Sequence, residues 1–217
     1  MLELLARIIP LSIASAMSPV ILGLAISLLA GKNHPEARAI SFLLGGAVVA
    51  LILAGIAFAV VAGAASGNVP HIPAYVDVVL GALFVAFAAK EALEKEGKRP
   101  GLKKAGKGPA LLKWFAISFV ANMTNFDAVL LNITAVKEIL QAGVGTFHEA
   151  LLVLVADLFF ILPVLLPLAI YAVAPERTEK TLAPVGAWMR NYGRYIVAAI
   201  FLVFGIYLLW KGFSAVA

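Results

Sequence analysis

Residues 110–140 read ALLKWFAISFVANMTNFDAVLLNITAVKEIL, and this apolar segment decides the fold. Crossing the hydrocarbon core of a bilayer takes about 20 largely apolar residues, so the segment is long enough. Its middle, Asn122-Met123-Thr124-Asn125-Phe126-Asp127, carries amides, a hydroxyl and a carboxylate. A charged Asp at the centre of a membrane helix costs about 2.5–3.5 kcal/mol on insertion scales, and such groups usually face an internal cavity. The segment predicts a membrane span with a functional polar centre; the alternative is two shorter segments with Asp127 near water.

The composition of the whole chain agrees with a membrane protein. Of 217 residues, 63% are hydrophobic and 13% are charged, whereas a soluble domain carries about 25% charged residues. The mean hydropathy is +1.01. We therefore expect residues 1–217 to form a single transmembrane domain, with the first apolar segment retained as a span because it is longer than a signal-peptide core. Cysteine is absent, which excludes disulfides and thiolate metal sites.

Six segments are long and apolar enough to span a membrane. They are Leu2–Ala30, Ala37–Ala65, Ala74–Leu93, Ala110–Leu140, Thr146–Ala174 and Tyr192–Phe213. A Gly-, Lys- and Pro-rich linker at residues 97–109 separates the third from the fourth. Small residues at every fourth position, Gly46-Ala50-Ala54 and Gly55-Ala59-Gly63, predict close helix packing.

The basic residues predict the orientation. Loops 1–2, 3–4 and 5–6 with their flanks hold 14 of the 17 Lys and Arg residues, and the opposite side holds only Arg7, Lys137 and Lys211. Because cytoplasmic loops carry the excess of basic residues, these three loops should be cytoplasmic, with both termini outside an inner cell membrane. The net charge of +5 thus reflects topology, and nucleic-acid binding is not expected. Contact of the basic linker with anionic lipids is an alternative to a merely solvated loop.

An internal repeat relates the two halves at an offset of 106 residues. Leu11-Ser12-Ile13 aligns with Ile117-Ser118-Phe119, and Ala16–Pro19 aligns with Asn122–Asn125. A unit of three spans repeated in tandem reverses its direction in the membrane. The predicted fold class is therefore an all-α membrane protein with six transmembrane helices in two inverted repeats, residues 1–96 and 110–217. In such folds the substrate site lies near the midplane, on interrupted helices.

Two further features point to the midplane. Ser18-Pro19 lies within the first span, where proline frees a backbone carbonyl one turn earlier; this indicates either a functional break or an ordinary kink. Asp157 lies in the apolar run 151–161 with no basic residue within helical reach, so its partner must come from another helix. It is a candidate for proton relay or cation binding, or a structural Asp bonded to backbone. Asp77, in contrast, lies in a first helical turn and fits the helix dipole.

Enzyme chemistry finds no support in the sequence. No nucleophile with a base, phosphate loop or dinucleotide fingerprint is present, and no two of His34, His71 and His148 have metal-ligand spacing. We predict a protein that is not an enzyme and needs no cofactor.

The sequence resembles the LysE transporter superfamily, in its branch of glycolipid- and sulfolipid-addressing (GAP/Sap-like) proteins. The matching motifs cover nearly the whole chain: Met17–Val20, Ala39–Gly46, Asn122–Asn125, Ala174–Arg177, Leu182, Trp188, Asn191 and Leu208–Gly212. The resemblance implies export of small or amphipathic solutes. One departure is that Met123 and Thr124 stand where the family run often has Pro and Lys. The missing cation favours a cation, proton or amine over an anionic substrate.

These observations predict a secondary transporter, an exporter coupled to an ion or proton through midplane acids. Its predicted site residues are Ser18, Pro19, Asn122, Thr124, Asn125, Asp127 and Asp157. The expected partners are a small-molecule, ion or lipid substrate and membrane lipids, and a homodimer is compatible with the sequence. The alternative is a lipid-trafficking or assembly partner in the membrane, with its essential residues in the linker. An intramembrane protease with two acids lacks the usual sequence context.

Overall fold

The computed structural model describes residues 2–31, 34–65, 74–93 and 111–214, and every regular element in these ranges is helical. The elements are α1 (Leu2–Ser15), α2 (Pro19–Leu29), α3 (Pro35–Ala65), α4 (Ala74–Leu93), α5 (Leu111–Met123), α6 (Phe126–Gln141), α7 (Thr146–Val173), a 3-10 turn (Pro175–Arg177) and α8 (Thr178–Ser214). The predicted linker at residues 97–109 lies outside the described residues.

Two of the predicted spans are each broken into a pair of helices. α1 and α2 meet at 53°, and α5 and α6 meet at 74°. At the first break Ser18 caps α2, accepting a hydrogen bond from the Ile21 amide at 3.4 Å, and Pro19 occupies the first helical position. Proline suits that position because its missing N–H would have no helical partner there. At the second break Thr124 and Asn125 separate the helices.

The helices give three to five candidate membrane spans within the described residues. Three lie in single helices: Pro35–Ala59 of α3, Thr146–Val173 and Asn191–Ser214 of α8. The two bent pairs bring the number to five if each pair is one span. α4 has the predicted bounds Ala74–Leu93 but carries Asp77, Lys90 and Glu91 in 20 residues, and it is not among the five. The all-helical membrane architecture is thus confirmed, with fewer established spans than the six expected.

The two largest apolar clusters of the core each draw helices from both halves of the chain. One joins α1, α4, α6 and α8 through side chains that include Leu11, Phe84, Leu131 and Phe201. The other joins α2, α3, α5 and α7 through Ile21, Phe42, Trp114 and Val164. Trp114 is only 3% exposed, so it packs inside the protein, although tryptophan near the end of a span is often an interfacial anchor. The halves are therefore interleaved around a shared core.

Glycine allows a close helix contact between α4 and α8. A Cβ placed on Gly81 would lie 2.8 Å from the Leu209 amide nitrogen and 2.9 Å from the Gly205 carbonyl oxygen. A Cβ on Gly205 would lie 3.1 Å from the Gly81 carbonyl oxygen. Of the predicted small-residue positions, Gly46 does pack closely, since a Cβ placed there would lie 3.3 Å from the side-chain nitrogen of Asn122. A Cβ placed on Gly55 would meet no atom within 4 Å.

α8 begins much earlier than predicted, at Thr178 instead of Tyr192. Pro184 lies inside the helix, but Leu182 and Met189, which are seven residues apart and share one face, are both buried. Burial of this face stabilises the helical turns that precede the predicted span.

Candidate functional site

The two helix breaks lie at the same level of the bundle. α1 and α6 run antiparallel, since Arg7 Nη1 lies 3.5 Å from Glu138 Oε2 while Leu11 shares a cluster with Leu131. At the helical rise of 1.5 Å per residue, Ser18 lies about 16 Å from Arg7 along the axis of α1. Phe126 lies about 18 Å from Glu138 along the axis of α6. Both distances are about half of a 30 Å hydrocarbon core. If the Arg7–Glu138 contact marks one membrane surface, both breaks lie near the midplane.

The α1–α2 break is lined by buried hydroxyls. Ser12, Ser15 and Ser18 are 4%, 1% and 5% exposed. The Ser15 hydroxyl donates to the Ser12 carbonyl at 2.8 Å, while Pro19 is half-buried. Of the two predicted residues of this break, Ser18 faces the protein interior and Pro19 is partly covered.

The α5–α6 break divides its polar residues between the interior and the surface. Asn122 is 3% exposed and donates its side-chain amide to the Ser118 carbonyl at 2.9 Å and to the Ser118 hydroxyl at 3.2 Å. Asn125 and Asp127 are half-buried. Thr124 is exposed, and its hydroxyl donates to the Val120 carbonyl at 2.8 Å within its own helix. The structure thus does not bring Thr124 together with the other predicted site residues.

Asp157 has the cross-helix partner that the sequence required. Asn132 of α6 donates its side-chain amide to Asp157 Oδ1 of α7 at 3.3 Å. Asn132 is 1% exposed and Asp157 is 8% exposed. The side-chain oxygen of Asn132 (Oδ1) and the Thr134 hydroxyl are buried without a hydrogen-bond partner among the described residues. Polar groups in this state are uncommon in native interiors.

Asp127 and Asp157 do not share one site. On α6, Asp127 and Asn132 are five residues apart, which is about 140° around the helix. Asn132 faces Asp157 on α7. Asp127 lies on the same stripe as Leu131, Thr134 and Glu138, and this stripe faces α1 and α8. The two acids therefore belong to different faces of α6.

A buried ionic cluster lies at one end of the bundle, and sequence reasoning missed it. We call it the end cluster; its members are Arg7 (α1), Asp77 (α4), Lys137 and Glu138 (α6) and Lys211 (α8). Lys137 bonds Asp77, Lys137 Nζ lies 3.4 Å from Glu138 Oε1, and Lys211 Nζ lies 3.0 Å from the same oxygen and 3.8 Å from Asp77 Oδ2. Arg7 also stacks 5.3 Å from the Tyr207 ring centre.

The end cluster establishes which helix ends lie together. It joins the starts of α1 and α4 to the ends of α6 and α8. These are the ends that the charge pattern had placed on one side of the membrane. The sequence did contain one indication of this cluster, since Arg7, Lys137 and Lys211 are the three basic residues outside the basic loops and their flanks. Asp77 does lie in the first turn of α4, as predicted. It also forms an ion pair with Lys137, which the sequence did not indicate.

No described group of three or more His, Asp or Glu side chains has the arrangement of a metal site. The candidate site therefore consists of the two breaks, the Asn132–Asp157 pair and the end cluster.

Interrupted spans with buried polar groups beside their breaks define a polytopic helical membrane protein with polar groups in its interior. The chain belongs to the SfLAP family, described as Sap, sulfolipid-1-addressing protein, whose family model matches residues 8–214. This confirms the predicted Sap-like branch; membership in the wider LysE superfamily stays a prediction. The match includes both breaks, Asp157 and every member of the end cluster except Arg7. Comparison with curated proteins and with solved structures found no match.

Proposed function

We propose that the chain is a secondary transporter that moves an amphipathic solute of the lipid class, with the solute passing between the two helix breaks. The observation that carries the proposal is the common level of the breaks at Ser18 and Asn125. Non-helical backbone at membrane depth is tolerated only where protein or a water-filled cavity meets it. Secondary transporters bind their substrates at such places.

The family description supports a lipid as the solute. It names a sulfolipid-addressing protein, and a sulfolipid is an amphipathic molecule with an anionic headgroup. Such a solute would use serine hydroxyls and side-chain amides at the breaks as hydrogen-bond donors. Neither break contains Lys or Arg, so neutralisation of an anionic headgroup has to come from elsewhere in the protein.

The proposed mechanism is alternating access between two inverted repeats, with α4 as the sixth span beside α8. Asp157 and Asp127 would couple movement of the solute to a proton or cation. The end cluster joins one half-helix of each broken span, α1 and α6, to the α4–α8 pair. It would therefore close one end of the pathway, and solute movement to that side would require these ion pairs to separate.

The test is lipid movement in proteoliposomes. Purified protein is reconstituted with a fluorescent sulfated glycolipid, and membrane-impermeant dithionite measures how fast the label changes leaflet. We expect the wild type to accelerate this movement and Asp157→Asn to lose the acceleration at equal protein density. Equal rates in wild-type and protein-free vesicles, under both imposed proton-gradient directions, would contradict transport.

A second candidate function is lipid trafficking as an assembly partner without a transport cycle. The family description, which speaks of addressing and not of transport, favours it. In that case the basic linker at residues 97–109 would hold the essential residues. Deleting residues 97–108 would then abolish lipid delivery in cells while Asp157→Asn had no effect. The transporter proposal expects the opposite result for Asp157→Asn.

A further inference from the structure

The charges of the end cluster do not balance. Arg7, Lys137 and Lys211 supply three positive charges, and Asp77 and Glu138 supply two negative charges. Lys137 bonds Asp77. Glu138 is then shared, with Lys211 Nζ at 3.0 Å and Arg7 Nη1 at 3.5 Å from its two oxygens. Glu138 also has Lys137 Nζ at 3.4 Å, so this one carboxylate faces three cations, and the five side chains together carry one net positive charge.

The exposed part of the end cluster is entirely cationic. The side chains of Asp77, Lys137 and Glu138 are 7%, 5% and 3% exposed. The side chains of Arg7 and Lys211 are 41% and 32% exposed. The acids are therefore covered by the rest of the protein, and an approaching molecule meets a guanidinium and an ammonium group.

The surroundings of these two cations are those of a membrane interface. Arg7 and Lys211 lie at one end of the bundle, about half a hydrocarbon thickness along the helices from the two breaks. The half-buried Tyr207 ring lies 5.3 Å from the Arg7 guanidinium, and Trp210, beside Lys211 in the chain, is 69% exposed. Trp and Tyr are enriched in the interfacial zone of membranes. Gln141 completes the rim, its side-chain carbonyl 3.2 Å from Lys211 Nζ.

We propose that Arg7 and Lys211 form a binding site for the anionic headgroup of a membrane lipid, a sulfate or phosphate ester. Arg presents a planar donor fork that matches such groups, and Lys supplies a mobile point charge. The headgroup takes up the surplus charge while its acyl chains lie along α8 in the bilayer. The site lies at the end of the bundle, away from the helix breaks, so lipid binding there does not require a transport cycle. Its occupancy can be measured by lipid binding alone.

Gln141→Glu is the sharpest test, because it removes the surplus charge without breaking an ion pair. The new carboxylate would sit against Lys211 in place of the lipid headgroup. Lipid retention is measured by native mass spectrometry in a neutral detergent, with phosphatidylglycerol, sulfated glycolipid or phosphatidylcholine added. We expect the wild type to retain the two anionic lipids better than phosphatidylcholine. A single interfacial cation contributes about 1 kcal/mol, so Gln141→Glu and Lys211→Gln should each reduce this preference about fivefold.

Three comparisons keep the result interpretable. Lys211→Arg retains the charge and should retain the preference. Lys113→Gln removes an exposed cation at the start of α5, on the opposite end of the bundle, and should leave the preference unchanged. The unfolding midpoint of Gln141→Glu without added lipid shows that the variant is folded. The proposal is overturned if Gln141→Glu keeps the full preference, if Lys113→Gln lowers it equally, or if inorganic sulfate at equal concentration displaces the lipid.

Discussion

Asn132 of α6 donates its side-chain amide to Asp157 Oδ1 of α7 over 3.3 Å, and both side chains are buried. Asp157→Asn keeps the volume and still allows an amide–amide hydrogen bond. We therefore expect normal expression and a near-normal unfolding midpoint, but loss of lipid movement in proteoliposomes, since the variant cannot change its charge. Asp157→Leu leaves the Asn132 amide without its partner, which costs about 1–3 kcal/mol in free energy of unfolding.

Ser27→Ala is the matched control for Asp157→Asn. Ser27 is exposed on α2, away from both breaks, and its hydroxyl donates to the Gly23 carbonyl of its own helix at 2.7 Å, so we expect transport at the wild-type rate. Transport by Asp157→Asn at the rate of Ser27→Ala would exclude Asp157 as the coupling group and leave Asp127, on the other face of α6, as the remaining acid to test.

The Lys137–Asp77 pair should dominate the stability of the end-cluster side of the bundle. Both side chains are less than a tenth exposed. Removing one partner of a buried ion pair leaves an uncompensated charge and costs about 3–5 kcal/mol. We expect this loss for Lys137→Met in a denaturant titration of the detergent-solubilised protein. The double variant Asp77→Leu/Lys137→Met should recover much of it, because no unpaired charge remains.

Lys113→Met provides the reference for Lys137→Met, since Lys113 is exposed. Its free energy of unfolding should stay within about 0.5 kcal/mol of the wild type. The single variants Asp77→Leu and Lys137→Met are measured beside the double variant. If the loss of unfolding free energy in the double variant equals the sum of the two single losses, the two side chains are not coupled and the pairing is contradicted.

The close contact of α4 with α8 gives a prediction about glycine. Gly81→Ala would place a methyl group 2.8 Å from the Leu209 backbone nitrogen and 2.9 Å from the Gly205 carbonyl. The helices have to separate, which should cost about 1–3 kcal/mol. Gly55→Ala is the control, with no atom within 4 Å; alanine there should be neutral or stabilise by up to about 1 kcal/mol. Thermal unfolding of both variants checks the difference, and equal midpoints would contradict the packing.

The breaks were predictable because their causes are local. Pro19 lacks an N–H for the helix ladder, and the run of amides and hydroxyls at residues 122–125 offers hydrogen bonds that compete with the helical ones. The bounds of α4 were predictable because turn residues flank the apolar run. Whether a polar residue faces inward was not predictable. Asn122 and Thr124 are only two residues apart, and Asn122 is buried because α3 packs against it at Gly46.

The end cluster could not be predicted because its pairs join residues far apart in sequence. Lys137 and Asp77 are 60 residues apart, and Lys211 and Glu138 are 73 residues apart. The sequence indicated that the three cations share one side of the membrane, but not which helices are neighbours there. Trp114 shows the same limit, since its position near a helix end does not reveal that α5 lies inside the bundle with that face against α2 and α3.

The transport proposal requires that water reach the helix breaks during the cycle, and thiol labelling can test this. The chain has no cysteine, so a single introduced cysteine is the only reactive thiol. Ser18→Cys and Asn125→Cys, at the two breaks, should react with a charged, membrane-impermeant thiosulfonate in proteoliposomes. Val120→Cys, 58% exposed on the outer surface of α5, should face lipid and react slowly, because the reagent attacks the thiolate form, which hydrocarbon disfavours.

Leu131→Cys separates access to the breaks from general loosening of the protein. Leu131 is 0% exposed within the core shared by α1, α4, α6 and α8, and a cysteine there should stay unreactive in the folded state. Labelling at the breaks should also slow when the sulfated glycolipid is added, because the solute occupies the same space. If Ser18→Cys and Asn125→Cys were as inert as Leu131→Cys under both gradient directions, the breaks would be packed shut and no solute path could run between them. If all four positions reacted equally, the helices would separate as a whole, and the breaks would have no special part in access.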